Sequence, residues 1–212
     1  MKICGVTDLG DARLAVELGA WAVGLVLWPG SPRACPPEAA EEIGAVLHRR
    51  AEVAGVFVNA TLDDVALAAD RFGLTLLQLH GDEGPAYCRE AARRTGCRVM
   101  KAARIRDVAS VRGLEAFAGT DLHLLDAHVP GRRGGTGEPF DWMLVGVHRR
   151  RVPIVLSGGL GPANVGEAIE AVAPFAVDSA SATESEPGRK DPERLEALFH
   201  AVAAADREGA PA

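Results

Sequence analysis

The stretch Ile154-Val155-Leu156-Ser157-Gly158-Gly159-Leu160 is an apolar run that stops at a serine and a glycine pair, after which Asn164 opens Val165-Gly166-Glu167-Ala168-Ile169-Glu170-Ala171-Val172. A short run of branched residues bounded by glycine reads as a buried strand, and the apolar positions after it recur at helical spacing. The strand from Ile154 to Leu156 and the helix from about Asn164 to Val172 lead at once into another apolar run, Phe175 to Val177. Outward from there the unit repeats. Further strands are expected at Lys2 to Cys4, Ala22 to Val26, Val53 to Val58, Leu74 to Leu79, Arg98 to Lys101 and Leu122 to Leu125. Amphipathic stretches lie between them, from about Asp8 to Leu18, from Pro36-Pro37 to near Arg49, Leu62 to Phe72, Pro85 to Arg94, about Asp107 to Phe117, and Asp141 to Arg149; Pro192 to about Ala205 closes the series. Asp8 and Thr61 stand where N-caps belong. Pro36-Pro37 opens a helix where a missing N–H does no harm.

Eight strand–helix units define an α/β chain whose parallel strands close into a (β/α)8 TIM barrel, a single domain over residues 1–212 with a flexible tail from about residue 206. The alternative is an open doubly wound sheet, but no Gly-x-Gly-x-x-Gly follows the first strand as a dinucleotide fold would require. Composition agrees with one core: 212 residues, 48% hydrophobic and 25% charged, are enough to enclose it. A net charge of -6 supplies no basic field for nucleic acid or an anionic membrane. No charge-free apolar run reaches the roughly 18 residues of a membrane helix. Met1-Lys2-Ile3-Cys4-Gly5 is too abrupt for a signal peptide, so a cytoplasmic protein is expected. Four scattered cysteines form no Cys-x-x-Cys pair, and His123 and His128 fit no metal-ligand spacing, so no metal is called for. No obligate protein partner is evident.

In such a barrel the C-terminal strand ends converge over one mouth. They are Cys4, Gly24, Asn59, His80, Lys101, Asp126, Ser157 and Asp178, mostly polar groups placed directly after apolar runs. Gly158 and Gly159 leave backbone N–H groups open to an oxyanion, and an extra turn has room between Ser179 and Lys190, so a phosphate fits there. The plainer reading is a tight turn. Asp126 can carry a proton or anchor its loop; Cys4 can move a proton or simply be a small buried side chain. Arg33 can clamp a carboxylate or face solvent. Lys101 and His80 can bind substrate or fix loops. The longest loop, residues 127–140 with Gly131, Gly134, Gly135 and Gly137, has the composition of a mobile cover.

The segments Lys2-Ile3-Cys4-Gly5, Gly55-Val56-Phe57-Val58-Asn59, Leu77-Gln78-Leu79-His80-Gly81, Leu124-Leu125-Asp126, Gly134-Gly135-Thr136-Gly137, Phe140-Asp141-Trp142, Leu156-Ser157-Gly158-Gly159-Leu160 and Pro174-Phe175-Ala176-Val177-Asp178 together resemble the phosphoribosylanthranilate isomerase family, in order and over nearly the whole chain. The resemblance implies a cofactor-free Amadori rearrangement in tryptophan biosynthesis. In it Cys4 is the general base and Asp126 the general acid, Arg33 takes the anthranilate carboxylate, and His80 and Asp178 contact substrate. Gly158, Gly159, Ser181 and Ala182 hold the phosphate. The chain departs from the family pattern at Glu138 and Pro139, where Lys-Thr is usual, at Ala127 and His128 after the aspartate, at Gly161-Pro162-Ala163-Asn164, and at Ala180 and Ala182 in loop 8. Those departures keep two alternatives in view: a barrel isomerase or epimerase for a related sugar phosphate, and a catalytically silent ligand-binding descendant.

Overall fold

The computed structural model describes residues 1–127, 142–149 and 151–208. The expected loop cover at 127–140 therefore falls almost wholly outside the described residues, together with the Glu138, Pro139 and His128 departures. Eight parallel strands form a closed barrel in sequence order, β8 pairing back onto β1. They are β1 (Lys2–Cys4), β2 (Ala22–Val26), β3 (Glu52–Phe57), β4 (Leu76–Leu79), β5 (Arg98–Ile105), β6 (Leu122–Ala127), β7 (Ile154–Ser157) and β8 (Ala176–Ser179). The helices are α1 (Leu9–Glu17), α2 (Pro37–Leu47), α3 (Leu62–Arg71), α4 (Pro85–Thr95), α5 (Val108–Gly113), α6 (Val165–Val172) and α7 (Pro192–Glu208).

Local chemistry sets these bounds. Asp8 accepts from the Asp11 N–H and Thr61 from the Asp64 N–H, as N-caps should. Asp107 and Ser110 form a reciprocal capping box, and Gly96 ends α4 in the left-handed conformation. Four expectations are corrected. β5 runs past Lys101 to Ile105 because Ala102 and Ile105 still find buried neighbours. The helix expected from Asp107 breaks after Gly113 into a 3-10 turn, Leu114–Phe117. The one expected from Asp141 is only a 3-10 turn, Trp142–Val147, whose Trp142, Val145, Gly146 and Val147 are poor helix formers. α7 continues to Glu208, beyond the point where a tail was expected to begin.

Strand alternation divides the apolar side chains into two cores. Ile3, Leu25, Leu77, Leu79, Leu125, Leu156 and Val177 face outward and pack beneath the helices, whereas Ala54, Leu76, Met100, Ala102, Leu122, Leu124 and Val155 fill the barrel. Trp21 closes one end, packed against this inner cluster and edge-on to Phe175 with ring centroids 5.4 Å apart. Every inward position near the other end is therefore offered to the mouth.

Candidate active site

β1 shows how three residues build one side of the mouth. Ile3 faces the outer core, so Lys2 and Cys4 point into the barrel. Lys2 is fully buried, and its Nζ donates to Asp178 Oδ1 at 2.6 Å. Ser157 Oγ donates to Asp178 Oδ2 at 3.0 Å, so both carboxylate oxygens are engaged. Gly24, expected at a strand end, lies in mid-β2 opposite Cys4; a Cβ there would stand 2.8 Å from Cys4 Sγ and 3.1 Å from Lys2 Nζ. Glycine thus makes the space in which thiol and ammonium meet. Burial pushes the Cys4 thiol up, the Lys2 ammonium opposes that push, and the Asp178 carboxylate adds to it. Burial also works against the Lys2 charge, but Asp178 and Cys4 outweigh it and hold its pKa above the ordinary lysine value.

The facing side comes from β4, β5 and β6. Gln78 and His80 lie on the inner face of β4, because Leu77 and Leu79 take the outer one. Gln78 Nε2 is 3.0 Å from His80 Nδ1, and His80 Nε2 is 3.4 Å from Asp126 Oδ2. Asp126 follows Leu124 and Leu125, which face the inner and outer cores respectively, so its half-exposed carboxylate turns to the mouth. Arg104 sits beside it in register; with Ala103 and Ile105 packed outward, the guanidinium belongs to the mouth, exposed and without an ion pair among the described residues.

Arg33 enters from the loop after β2. Its Nε and Nη2 donate to Glu184, with Nη2 2.7 Å from Oε2. Glu184 also binds Lys190 Nζ at 3.1 Å, and that buried ammonium donates to the carbonyls of Cys4 at 2.7 Å and Ala180 at 3.2 Å. Burial would raise the Glu184 pKa, but Arg33 and Lys190 hold it below the ordinary carboxylate value. Gly5, at φ +73, lets the Arg33 stem cross the end of β1, since a Cβ there would lie 2.8 Å from Arg33 Cδ.

Loops 7 and 8 meet on the β7–β8 side. Gly158 and Gly159 both have positive φ, which glycine alone adopts freely. Ser179 Oγ donates to the Leu160 carbonyl at 2.8 Å, and a Cβ on Gly161 would stand 3.1 Å from Ala182 Cβ. Ser181–Thr183 forms the expected extra turn, a 3-10 turn, followed by the unforeseen hairpin Glu184–Glu186 with Arg189–Lys190. Ala182 lies outside the left-handed region, so its departure from glycine introduces no backbone strain.

Two expected mouth residues are scaffold instead. Lys101 points outward, where Nζ donates to the carbonyl of Gly81 at 2.7 Å and to Glu83 at 2.8 Å. Asn59 and Glu83 clamp loops 3 and 4 together: the Asn59 N–H donates to Glu83 Oε1 at 2.8 Å and the Asp82 N–H to Asn59 Oδ1 at 2.7 Å. Asp178, expected to touch substrate, spends both oxygens on Lys2 and Ser157. Sequence reasoning missed Lys2, Gln78, Arg104, Glu184 and Lys190. Period-two alternation already put Lys2 on the face of Cys4 and Gln78 on that of His80. Among the described residues, no group of three His, Cys, Asp or Glu side chains stands close enough to hold a metal ion, and no helix is long and apolar enough to cross a membrane.

A parallel barrel with a thiol and a carboxylate facing one another over a mouth, and paired glycine-bearing loops beside them, is an acid–base enzyme of the TIM-barrel class. The family model described as N-(5'phosphoribosyl)anthranilate (PRA) isomerase matches residues 1–201. The chain is 49% identical to N-(5'-phosphoribosyl)anthranilate isomerase of Citrifermentans bemidjiense over 94% of both chains. It superposes on phosphoribosyl anthranilate isomerase from Thermotoga maritima with a TM-score of 0.89, at 38% identity and covering 96% of this chain and 98% of that one. A solved phosphoribosyl anthranilate isomerase in complex with reduced 1-(O-carboxyphenylamino)-1-deoxyribulose 5-phosphate gives 0.85 at 37% identity, covering 96% and 97% of the two chains. The chain belongs to the phosphoribosylanthranilate isomerase family, and aldose–ketose isomerisation in tryptophan biosynthesis is its activity.

Proposed function

We propose that Cys4 and Asp126 divide the proton transfers by which this chain converts N-(5-phosphoribosyl)anthranilate to 1-(2-carboxyphenylamino)-1-deoxyribulose 5-phosphate. The carrying observation is the Lys2 ammonium buried beside the Cys4 thiol, across the mouth from Asp126. A base that must shed its proton in an apolar barrel needs a fixed cation, and Lys2 supplies one already held by Asp178. Asp126 protonates the furanose ring oxygen; the C1–O bond breaks as the nitrogen lone pair forms the Schiff base. The Cys4 thiolate then removes the C2 proton, and the electron pair moves through C1 to nitrogen. The resulting enolamine loses its enol proton and is protonated at C1 to give the ketone.

The substrate's two anions suit the two remaining regions. Backbone N–H groups of Gly158, Gly159, Ser181 and Ala182 take the phosphate. Arg33 takes the anthranilate carboxylate with the N–H groups that Glu184 leaves over, since Glu184 uses only Nε and Nη2. A small phosphorylated substrate fits a chain whose net charge of -6 supplies no overall basic field for a nucleic acid or an anionic membrane. The direct test is purified protein with freshly generated phosphoribosylanthranilate, followed by loss of anthranilate-type fluorescence. Turnover is expected; a folded wild type that stays inactive where a known isomerase works would overturn the reading.

A further inference from the structure

The amide of Gln78 has two polar ends and uses one. Nε2 lies 3.0 Å from His80 Nδ1, while Oε1 is buried with no hydrogen-bond partner among the described residues. Gln78 is 1% exposed and pairs in register with Val56, which shares an inner cluster with Cys4. A buried carbonyl left unpaired is destabilising, a penalty that a leucine of similar size would avoid. Packing therefore does not account for the residue.

Hydrogen-bond chemistry does. An amide N–H can only donate, so His80 Nδ1 must accept, and the hydrogen of the neutral imidazole resides on Nε2. Nε2 is the nitrogen 3.4 Å from Asp126 Oδ2, long for a hydrogen bond, as catalytic contacts often are before substrate is in place. A donor fixed on Oδ2 leaves Oδ1 as the oxygen that carries the transferable proton. β4, whose inner face carries Gln78, stands between β1 and β6 in the barrel, on the wall between the thiol and carboxylate strands, where the sugar must sit if those two groups act on it.

We propose that Gln78 is the positioning residue of the acid side: it holds His80 with Nε2–H toward Asp126, and its free carbonyl accepts a hydrogen bond from a sugar hydroxyl of the substrate. Only the kinetic consequence rests on the acid role given to Asp126. Histidine-labelled full-length chain, with His80 assigned by its loss in His80→Asn, reports the tautomer through long-range proton–nitrogen NMR. The wild type is expected to show Nε2–H; Gln78→Glu, whose carboxylate accepts, should move the hydrogen to Nδ1, and Gln78→Leu should leave a mixture. Both variants, shown folded by circular dichroism, should lose roughly 10²-fold in kcat, the order expected when a reacting group is misdirected. Gln78→Leu should bind the reduced product analogue about tenfold more weakly, one hydrogen bond's worth, and inorganic phosphate unchanged. A wild-type Nδ1–H tautomer, or a Gln78→Leu with wild-type kcat and analogue affinity, would overturn the proposal. Full turnover in folded Asp126→Asn with the expected tautomer in place would instead overturn the acid role and leave the orientation of His80 standing.

Discussion

On the β1–β8 side of the mouth the thiol of Cys4 rests on a buried ion pair, Lys2 with Asp178 at 2.6 Å, sealed from water and fixed before any substrate arrives. On the β4–β6 side the carboxylate of Asp126 is half-exposed, faces the His80 imidazole at 3.4 Å, and stands beside an exposed arginine. The difference suits the roles proposed for the two groups, Cys4 as base and Asp126 as acid. A base has to lose its proton in a low-dielectric interior, which takes a permanent opposite charge. An acid has to keep its proton until the ring opens, and among the described residues no lysine or arginine is ion-paired with Asp126: Arg104 is its neighbour in register only, and the His80 imidazole is the side chain aimed at its carboxylate.

The most severe way to break this division is to remove one member from each side. Cys4→Ala takes away the base at C2, and Asp126→Asn the acid at the ring oxygen with its shape nearly kept. Each is expected to lower turnover by about 10²–10⁴-fold. Since ring opening and C2 deprotonation are consecutive, the double variant need not show the product of the two losses. Turnover near wild type in either folded variant would remove that residue from the chemistry.

Lys2→Met tests the base side alone. Turnover requires the thiolate, so the rate should rise with pH until Cys4 ionises, above the ordinary thiol value because burial raises it. Lys2 lowers that pKa, so its loss should move the rising limb further to alkaline pH and reduce the rate near pH 8. It also strands Asp178, at a cost of about 3–5 kcal/mol in stability. Adding Asp178→Asn should recover part of that stability and, because the Asp178 carboxylate also pushes the thiol up, move the limb part of the way back from alkaline pH. A limb that stays in place in the folded single variant would show that Lys2 does not serve the thiol.

How these sides arise was only partly legible in the chain. Eight β/α units and their order can be read because short branched runs and glycine stops repeat with little variation. Cys4 and Asp126 can be placed because each ends a run of apolar residues. Lys101 misleads: one residue of register decides inside from outside, and β5 runs four residues further, placing Arg104 rather than Lys101 at the mouth. Glu184 and Lys190 were hidden for another reason. Their contact with Arg33 and with the Cys4 carbonyl spans a distance in sequence that no local pattern encodes.

Two arginines sharpen the comparison further. Arg33→Met should raise KM by about 10–100-fold with a smaller change in kcat, as expected for a charge-assisted contact made before and during reaction. Glu184 would keep Lys190, so loop 8 should stay folded. Among the described residues no carboxylate holds Arg104, and Arg104→Met is expected to raise KM only severalfold by weakening attraction for the doubly anionic substrate, an effect that added salt should erase. Equal effects from the two substitutions would place the substrate carboxylate nearer the acid side.

Stability offers a milder probe of the strand that carries Asp126. His123, on the outer face of β6, has Nδ1 2.9 Å from His148 Nε2 and Nε2 3.2 Å from the Phe117 carbonyl, and burial lowers its pKa to about 4. The unfolded chain, with the ordinary value of 6.5, takes up the proton first as pH falls. Stability should therefore decline from about pH 6.5 to pH 4 by an amount on the order of 3 kcal/mol and change no further from this source below that. In His123→Asn that part of the decline should vanish from urea titrations; an unchanged slope would assign it to other groups.

The smallest effect is expected where neither side is touched. Ala182 stands where the family usually has glycine, yet its φ is not in the left-handed region, so restoring glycine relieves no strain. Its backbone N–H is present either way, and that is the group the phosphate would use. Ala182→Gly should leave KM and kcat within about twofold, while adding backbone freedom to the unfolded chain and lowering stability by roughly 0.4–1 kcal/mol. A Cβ added at Gly161 would meet the Ala182 methyl at 3.1 Å. Gly161→Ala should accordingly be tolerated better in the Ala182→Gly background than alone, a coupling that a thermodynamic cycle on unfolding measures. A large drop in KM for Ala182→Gly would mean that loop 8 reshapes around the phosphate. The anion site would then join the acid side as a part completed only with substrate, leaving the Lys2–Asp178 pair as the preformed element of the mouth.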